Sequence, residues 1–236
     1  MTGTTQNKKL LAVSAHPDDI EFSCGGTMFK FKKQGYEIYF LVATNGENGF
    51  KIGHKPRSER VKSRHKEQLK AASLLGVKKV FLLNYRHCYL KYDDKSRERI
   101  ALVIKKVKPE IIFSFDPSNR TFESVNLLHR DHRVISEAVF DAVFAARNRY
   151  LLPGETHSVS KFWFFGCDRP NHYENITGEI NNKIKLIEAH RSQFHDHDSM
   201  QKWVKVHLSQ YTNKFKYSEK FRIVNITQPF TGEDIK

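Results

Sequence analysis

The sequence predicts an α/β chain in three layers, a mostly parallel sheet with helices on both faces. Two observations carry this. Short apolar runs, too short for helices and closed by turn residues, alternate with longer segments of helical period. Strand–helix alternation of that kind implies crossover connections and parallel neighbours. The length, 236 residues, suits one domain with a substantial core. A single domain is expected over residues 1–236, with its core over about 9–195 and an extension over 196–236.

The first run, Leu10 to Ala15, reads as a strand buried on both faces and ended by Pro17. Gly25 to Gly35 reads as a helix closing at a glycine, and Ile38 to Thr44 as a second strand running into the turn Asn45-Gly46-Glu47-Asn48-Gly49. Ser58 to Leu75 is a long basic helix, Lys79 to Leu83 a strand, Ser96 to Val107 a helix stopped by Pro109, and Ile111 to Phe115 a strand. His129 to Tyr150 has the clearest helical period, through Val134, Ile135, Ala138, Val139, Ala142 and Val143. Phe162 to Phe165 reads as a strand, Ile180 to Phe194 as a helix and Phe221 to Ile226 as a last strand.

The chain carries a formal net charge of +14 and a mean hydropathy of −0.59, and no apolar run approaches the ~18 residues of a membrane span. Between residues 51 and 108 stand 18 lysines and arginines against 5 acids, a net of +13. Such a field could draw an anionic substrate, lipid or nucleic acid; the plainer reading is a solvated pair of lysine-rich helices. No nucleic-acid partner is expected, because basic and aromatic residues do not interleave. Residues 1–9 lack the apolar segment of a signal peptide. Cys24, Cys88 and Cys167 are scattered and odd in number, so free thiols in the cytoplasm are expected.

Chemistry-bearing residues follow the strands. His16-Pro17-Asp18-Asp19 follows the first, Asn45-Gly46-Glu47 the second and Asp116 the fourth, whose loop leads to His129-Arg130-Asp131-His132. In a parallel sheet these strand ends share one edge, where α/β folds bind ligands, so His16, Asp19, His129 and His132 can converge. Two imidazoles and a carboxylate suit zinc with an open coordination position, although spacing does not exclude another divalent ion. Asp18 could then take a proton from the attacking water. Singly, His-X-X-His is commonly a surface pair and Asp-Asp a helix cap; matched strand ends favour the metal. A second metal cluster from His190, His195, Asp196, His197 and Asp198 is the weaker reading.

Ala15-His16-Pro17-Asp18-Asp19-Ile20-Glu21 with Gly25-Gly26-Thr27 resembles the first motif of the LmbE-like (PIG-L-type) zinc N-deacetylases, and His129-Arg130-Asp131-His132 resembles their His-Pro-Asp-His motif. The resemblance continues through Thr44 to Glu47, Arg64 to Glu67, Ala71 to Gly76, Asn175 to Thr177, Lys185 and His190 to Gln193, covering about residues 10 to 194. It implies a Rossmann-like, LmbE-like fold and a zinc hydrolase that removes acetyl from an N-acetylglucosamine-type substrate. His16, Asp19 and His132 would bind zinc. Asp18 would be the general base. His129, in its protonated form, would stabilise the oxyanion, and Asp131 would orient His129 or another site imidazole.

Arg64 would approach sugar hydroxyls or be a plain helix charge, and Glu47 would touch substrate or cap its loop. His87, where relatives carry an aspartate, suggests an altered substrate pocket. Two other readings stay open: cleavage of a different N-acyl amide (a thiol conjugate, an antibiotic or a sugar-lipid precursor), or a non-catalytic binder of an anionic glycan or lipid headgroup. The partner implied is a small N-acetylated amino sugar, neutral or anionic, and a homo-oligomer is open.

Overall fold

The computed structural model describes residues 8–49, 53, 55–122 and 124–226. The N-terminal stretch 1–7 and the end of the expected extension, 227–236, lie outside the described residues. Strand β1 (Lys9–Ser14) is central, pairing in parallel with β2 (Glu37–Thr44) and β4 (Ile111–Phe115). β3 (Lys79–Tyr85) extends the sheet beyond β2, and β5 (Lys161–Phe165) extends it beyond β4, both in parallel. β7 (Ser218–Asn225) then runs antiparallel to β5, and β6 (His172–Asn175) forms the edge, giving the order β3-β2-β1-β4-β5-β7-β6.

Helices α1 (Asp19–Lys33) and α2 (Arg57–Leu75) connect the strands on one side of β1, while α3 (Asp94–Val107) and α4 (Arg130–Arg147) connect those on the other and pack on each other. With right-handed crossovers the two pairs cover opposite faces, the three-layer arrangement expected. α5 (Ile180–Glu188) packs against α1 and α2, and α6 (His197–Ser209) against α5. The central strands are continuous apolar runs because both their faces are covered: Leu10, Leu11, Ala12, Val13, Ile38, Leu41, Ile112 and Phe113 are all buried.

Several boundaries differ from expectation. α1 begins at Asp19, six residues before Gly25, and its helical dihedrals break at Cys24 (φ −143°). Gly26 lies past that break, where a Cβ would come within 2.9 Å of the Ile176 side chain, so the helix passes only as glycine. α5 ends at Glu188 rather than Phe194, and α4 at Arg147. β6 and α6 had no counterpart in the sequence reading. Residues 218–225 are no appendage, since β7 lies inside the sheet between β5 and β6. Lys183 and Glu219, both buried, tie this late strand to α1: Lys183 Nζ meets Glu219 Oε1 at 2.6 Å, and Glu219 also accepts from the Gly26 and Thr27 amides.

Candidate active site

Strand order reverses between β1 and β4, which opens a crevice at the carboxyl ends of the parallel strands. Ala15, His16, Pro17 and Asp18 fill the four positions between the β1 end and α1. Asp18 sits in the left-handed region (φ 101°, ψ −26°), a strain of about 1–3 kcal/mol for a non-glycine residue. Gly46, beyond β2, is packed so tightly that a Cβ would meet Pro17 Cδ at 2.8 Å and Arg64 Nε at 3.0 Å. At the β4 side, His129 caps α4: its Nδ1 accepts the Asp131 amide at 3.1 Å. The cap sets His132 one turn into the helix, with its ring stacked on Phe115 at 4.0 Å between centroids.

The geometry brings His16, Asp19 and His132 together. His132 Nδ1 is 2.9 Å from the Leu127 carbonyl, which can only accept, so Nε2 presents a lone pair. His16 Nε2 is 3.3 Å from Asp131 Oδ2, which by the same logic leaves the lone pair on Nδ1. These two lone-pair nitrogens face each other at 3.0 Å. Asp19 adds its carboxylate, with Oδ1 3.3 Å from His132 Nε2 and Oδ2 3.5 Å from His16 Nδ1. Two lone pairs at that distance repel unless a proton or a metal cation lies between them. Burial works against charge on His16, yet Asp19, Asp131 and Asp18 outweigh it and raise its pKa to about 9, so the position attracts positive charge. Two imidazole nitrogens and a carboxylate, each imidazole oriented by a hydrogen bond at its far nitrogen, fit a divalent metal ion.

Asp18 stands next to this triad, held from two directions. Burial pushes its carboxyl pKa up, and the Arg64 guanidinium pulls it down. Arg64 Nη2 donates to Asp18 Oδ2 at 3.0 Å and also to the Pro17 carbonyl. Arg64 is paired in turn with Glu67 at 3.6 Å, and Glu67 is clamped by the Ser192 amide (2.8 Å) and hydroxyl (2.7 Å). The second path runs through the backbone: the Asp18 amide donates to Gln68 Oε1 (3.2 Å), Gln68 Nε2 donates to Glu21 Oε1 (2.7 Å), and Glu21 Oε2 lies 3.5 Å from His190 Nε2. Both paths end in residues 190–192. Gln68, Glu21 and Ser192 were assigned no chemistry from sequence, and His190, expected only in the weaker metal cluster, instead faces Glu21; the appearance of Glu67 and His190 to Gln193 within matched motifs was the available signal.

The remaining expected residues take definite places. Asp131 Oδ2 meets His16, so the imidazole it orients is His16; it also accepts the Cys88 amide at 2.7 Å. For His129, burial, then His16 and His132, push the pKa down to about 4, and its Nδ1 is spent as an acceptor. The structure therefore favours a neutral ring with a hydrogen on Nε2 over the protonated form expected from sequence. His87 lies against His16, ring centroids 4.3 Å apart, and is held neutral mainly by burial, its pKa near 4. Arg64 is only 1% exposed and aims at Asp18 rather than at open solvent. Glu47, also buried, is paired with Arg57 (2.8 Å) and Arg86 (3.6 Å). Asp116 makes a two-pronged ion pair with Arg222 on β7, both contacts at 2.6 Å, and stays outside the triad.

Among the described residues, metal-type side chains converge in two groups that share His16: the triad, and His16, His87, His129 and Asp131. Residues 195–198 belong to neither. Asp196 instead caps α6, accepting the Asp198 and Ser199 amides.

Comparison with known proteins agrees with this geometry. A family model described as PIG-L, GlcNAc-PI de-N-acetylase, matches residues 11–143. The chain is similar to a diacetylchitobiose deacetylase of Thermococcus kodakarensis, 32% identical over 193 residues that cover 79% of this chain and 70% of the relative. It is also similar to a probable N-acetyl-alpha-D-glucosaminyl L-malate deacetylase of Bacillus cereus, 26% identical over 191 residues, covering 79% and 84%. Among solved structures, an N,N'-diacetylchitobiose deacetylase of Pyrococcus horikoshii superposes with a TM-score of 0.85 at 29% identity, covering 97% of this chain and 89% of that one.

Proposed function

The chain belongs to the PIG-L, GlcNAc-PI de-N-acetylase family, and on that premise we propose that it is a zinc-dependent hydrolase that removes the acetyl group from an N-acetylglucosamine-containing substrate. The observation that carries the reading is the facing pair of lone-pair nitrogens, His16 Nδ1 and His132 Nε2 at 3.0 Å, with Asp19 beside them. His16, Asp19 and His132 would hold the metal ion, which would supply Lewis acidity toward the amide carbonyl and acidify a water.

The chain's own groups perform the proton transfers. Asp18 takes a proton from the attacking water as its oxygen bonds to the amide carbon. Arg64 favours the ionised carboxylate that this step requires and fixes its direction. His129 Nε2–H donates toward the oxygen that gains charge, and as a neutral donor it needs no further proton. When the C–N bond breaks, Asp18 returns its proton to the leaving amine, and acetate remains. Asp131 keeps His16 in the tautomer the triad needs.

Cytoplasmic residence is part of this reading, supported by three free cysteines. The surplus positive charge over residues 51–108 would steer an anionic substrate; kcat/KM that ignores ionic strength removes that role. The central test combines elemental analysis of the purified protein with acetate release from a panel of N-acetylglucosaminides. About one metal ion per chain and acetate release are expected. Metal-loaded protein inactive on every member of the panel overturns the reading.

A further inference from the structure

The loop after β3 is stitched to the start of α4 largely through Cys88. Three polar contacts of this residue fall on three successive residues of the other segment. Its amide donates to Asp131 Oδ2 at 2.7 Å, its carbonyl accepts from Arg130 Nη1 at 3.2 Å, and its sulfur lies 3.6 Å from His129 Nε2. Arg130 Nη1 also donates to the Leu90 carbonyl at 2.6 Å, which closes the stitch two residues on. Within it Cys88 is half-buried and has a φ of 70°, in the left-handed region that favours glycine.

The helix cap fixes the direction of the sulfur contact. His129 Nδ1 accepts the Asp131 amide, so the hydrogen of the neutral ring is on Nε2, and that N–H donates to the Cys88 sulfur. Sulfur is a large, weak acceptor, which suits a separation of 3.6 Å. The same N–H is the donor assigned to the oxygen that gains charge in the reaction. A carbonyl or carboxylate in place of the thiol would hold it by a full-strength bond and compete with that oxygen. With no acceptor at all, the ring would lose one of the two polar contacts that aim it. Its N–H would then be open to water from the depression of about 350 Å³ that Cys88 and His129 both line.

We propose that Cys88 is a positioning residue for His129: its sulfur holds the ring and its Nε2–H in place between turnovers and releases the donor when a stronger acceptor, the oxygen that gains charge, arrives. The proposal rests on the deacetylase reading for what the N–H does during reaction; the contact itself does not depend on it. Only the sulfur carries this role. The amide and carbonyl contacts belong to the backbone and persist when the side chain at position 88 is shortened, so Asp131, and through it His16, should keep their places.

Three measurements on metal-loaded protein test it. The first is a double-mutant cycle on kcat with Cys88→Ala, His129→Ala and the two combined. Cys88→Ala should lower kcat about tenfold, against the ~10²–10³-fold expected when the donor itself is lost in His129→Ala. KM and metal affinity should not change, and the effect of Cys88→Ala should vanish once His129 is absent. The second separates position from stability. Cys88→Gly relieves the left-handed strain, so its unfolding midpoint should be no lower than that of Cys88→Ala, while its kcat falls at least as far. The third needs no substrate: the proton resonance of His129 Nε2–H, identified by its absence from His129→Ala, should shift upfield or broaden by exchange with water in Cys88→Ala.

Wild-type kcat in Cys88→Ala, a loss that persists undiminished without His129, a kcat that tracks the unfolding midpoint across the two Cys88 variants, or an unmoved Nε2–H resonance overturns the positioning role. If wild type releases no acetate from any N-acetylglucosaminide while the resonance still responds to Cys88→Ala, the deacetylase reading falls and the contact between Cys88 and His129 stands.

Discussion

Arg64 Nη2 lies 3.0 Å from Asp18 Oδ2, joining the middle of α2 to the residue before α1, and the guanidinium is almost wholly removed from solvent. Burial and neighbouring Asp19 favour the neutral acid at Asp18, and Arg64 is the main opposing influence. The carboxylate proposed as the base therefore depends on a residue 46 positions away in sequence.

Arg64→Gln should move the acid limb of the kcat/KM–pH profile to higher pH. Without the guanidinium the carboxylate is less stable, its pKa rises, and a larger share of Asp18 is protonated at any given pH. The profile of the variant, measured with metal saturating, checks this; an unmoved acid limb would show that Asp18 is not the group being titrated.

Asp18→Asn and His132→Ala should separate chemistry from metal binding. The first keeps the triad and should lose about 10²–10⁴-fold in turnover, the usual contribution of a general base. The second removes a ligand atom and should lose the metal. Metal content and acetate release measured on both proteins read the two effects independently.

Asp131→Asn should weaken metal affinity about 10–100-fold, because the amide no longer enforces hydrogen on His16 Nε2. Competition with a chelator measures the change. Turnover at saturating metal should fall less than in Asp18→Asn.

Gln68→Leu should lower kcat with the metal retained. It deletes the acceptor for the Asp18 amide and the donor to Glu21, so the left-handed turn at Asp18 loses its support. Leaving these buried groups unpaired should also cost about 1–3 kcal/mol of stability, read by urea unfolding. A variant with normal kcat would show that the turn is held by Arg64 alone.

The ion pair between Asp116 and Arg222 should make stability depend on pH. Although burial opposes charge, Arg222 and the Ser118 groups hold the Asp116 carboxyl below its usual pKa. A depressed folded-state pKa contributes stability above the unfolded carboxylate range near 4, and that contribution disappears as pH falls through the folded value. Asp116→Asn should therefore be less stable than wild type by about 2 kcal/mol at neutral pH, with the gap closing in acid. Urea midpoints at several pH values test both statements.

The sequence by itself determined the parallel strands and the ligand types at their ends. Leu10 to Val13 and Ile111 to Phe113 are apolar without interruption because both faces are covered, and that pattern survives in one dimension. His16 with Asp19, and His129 with His132, are local pairs whose three-residue spacing is set by a turn or a cap, so their chemistry could be read before any fold was known.

Only the tertiary structure decided what surrounds them. Arg64 could have been a surface charge on a basic helix; the crossing of α2 over the Pro17–Asp18 turn makes it the partner of Asp18. Ser192 and His190 act through Glu67 and Glu21, partners more than 120 residues earlier in the chain, and no periodicity records such contacts. β7 is rich in charged residues, Glu219, Lys220 and Arg222, which hide its place inside the sheet until Asp116 and Lys183 arrive to pair with two of them. Local hydrophobic period reports which face of an element is buried, whereas the pairing of buried polar groups is set by how elements cross in space.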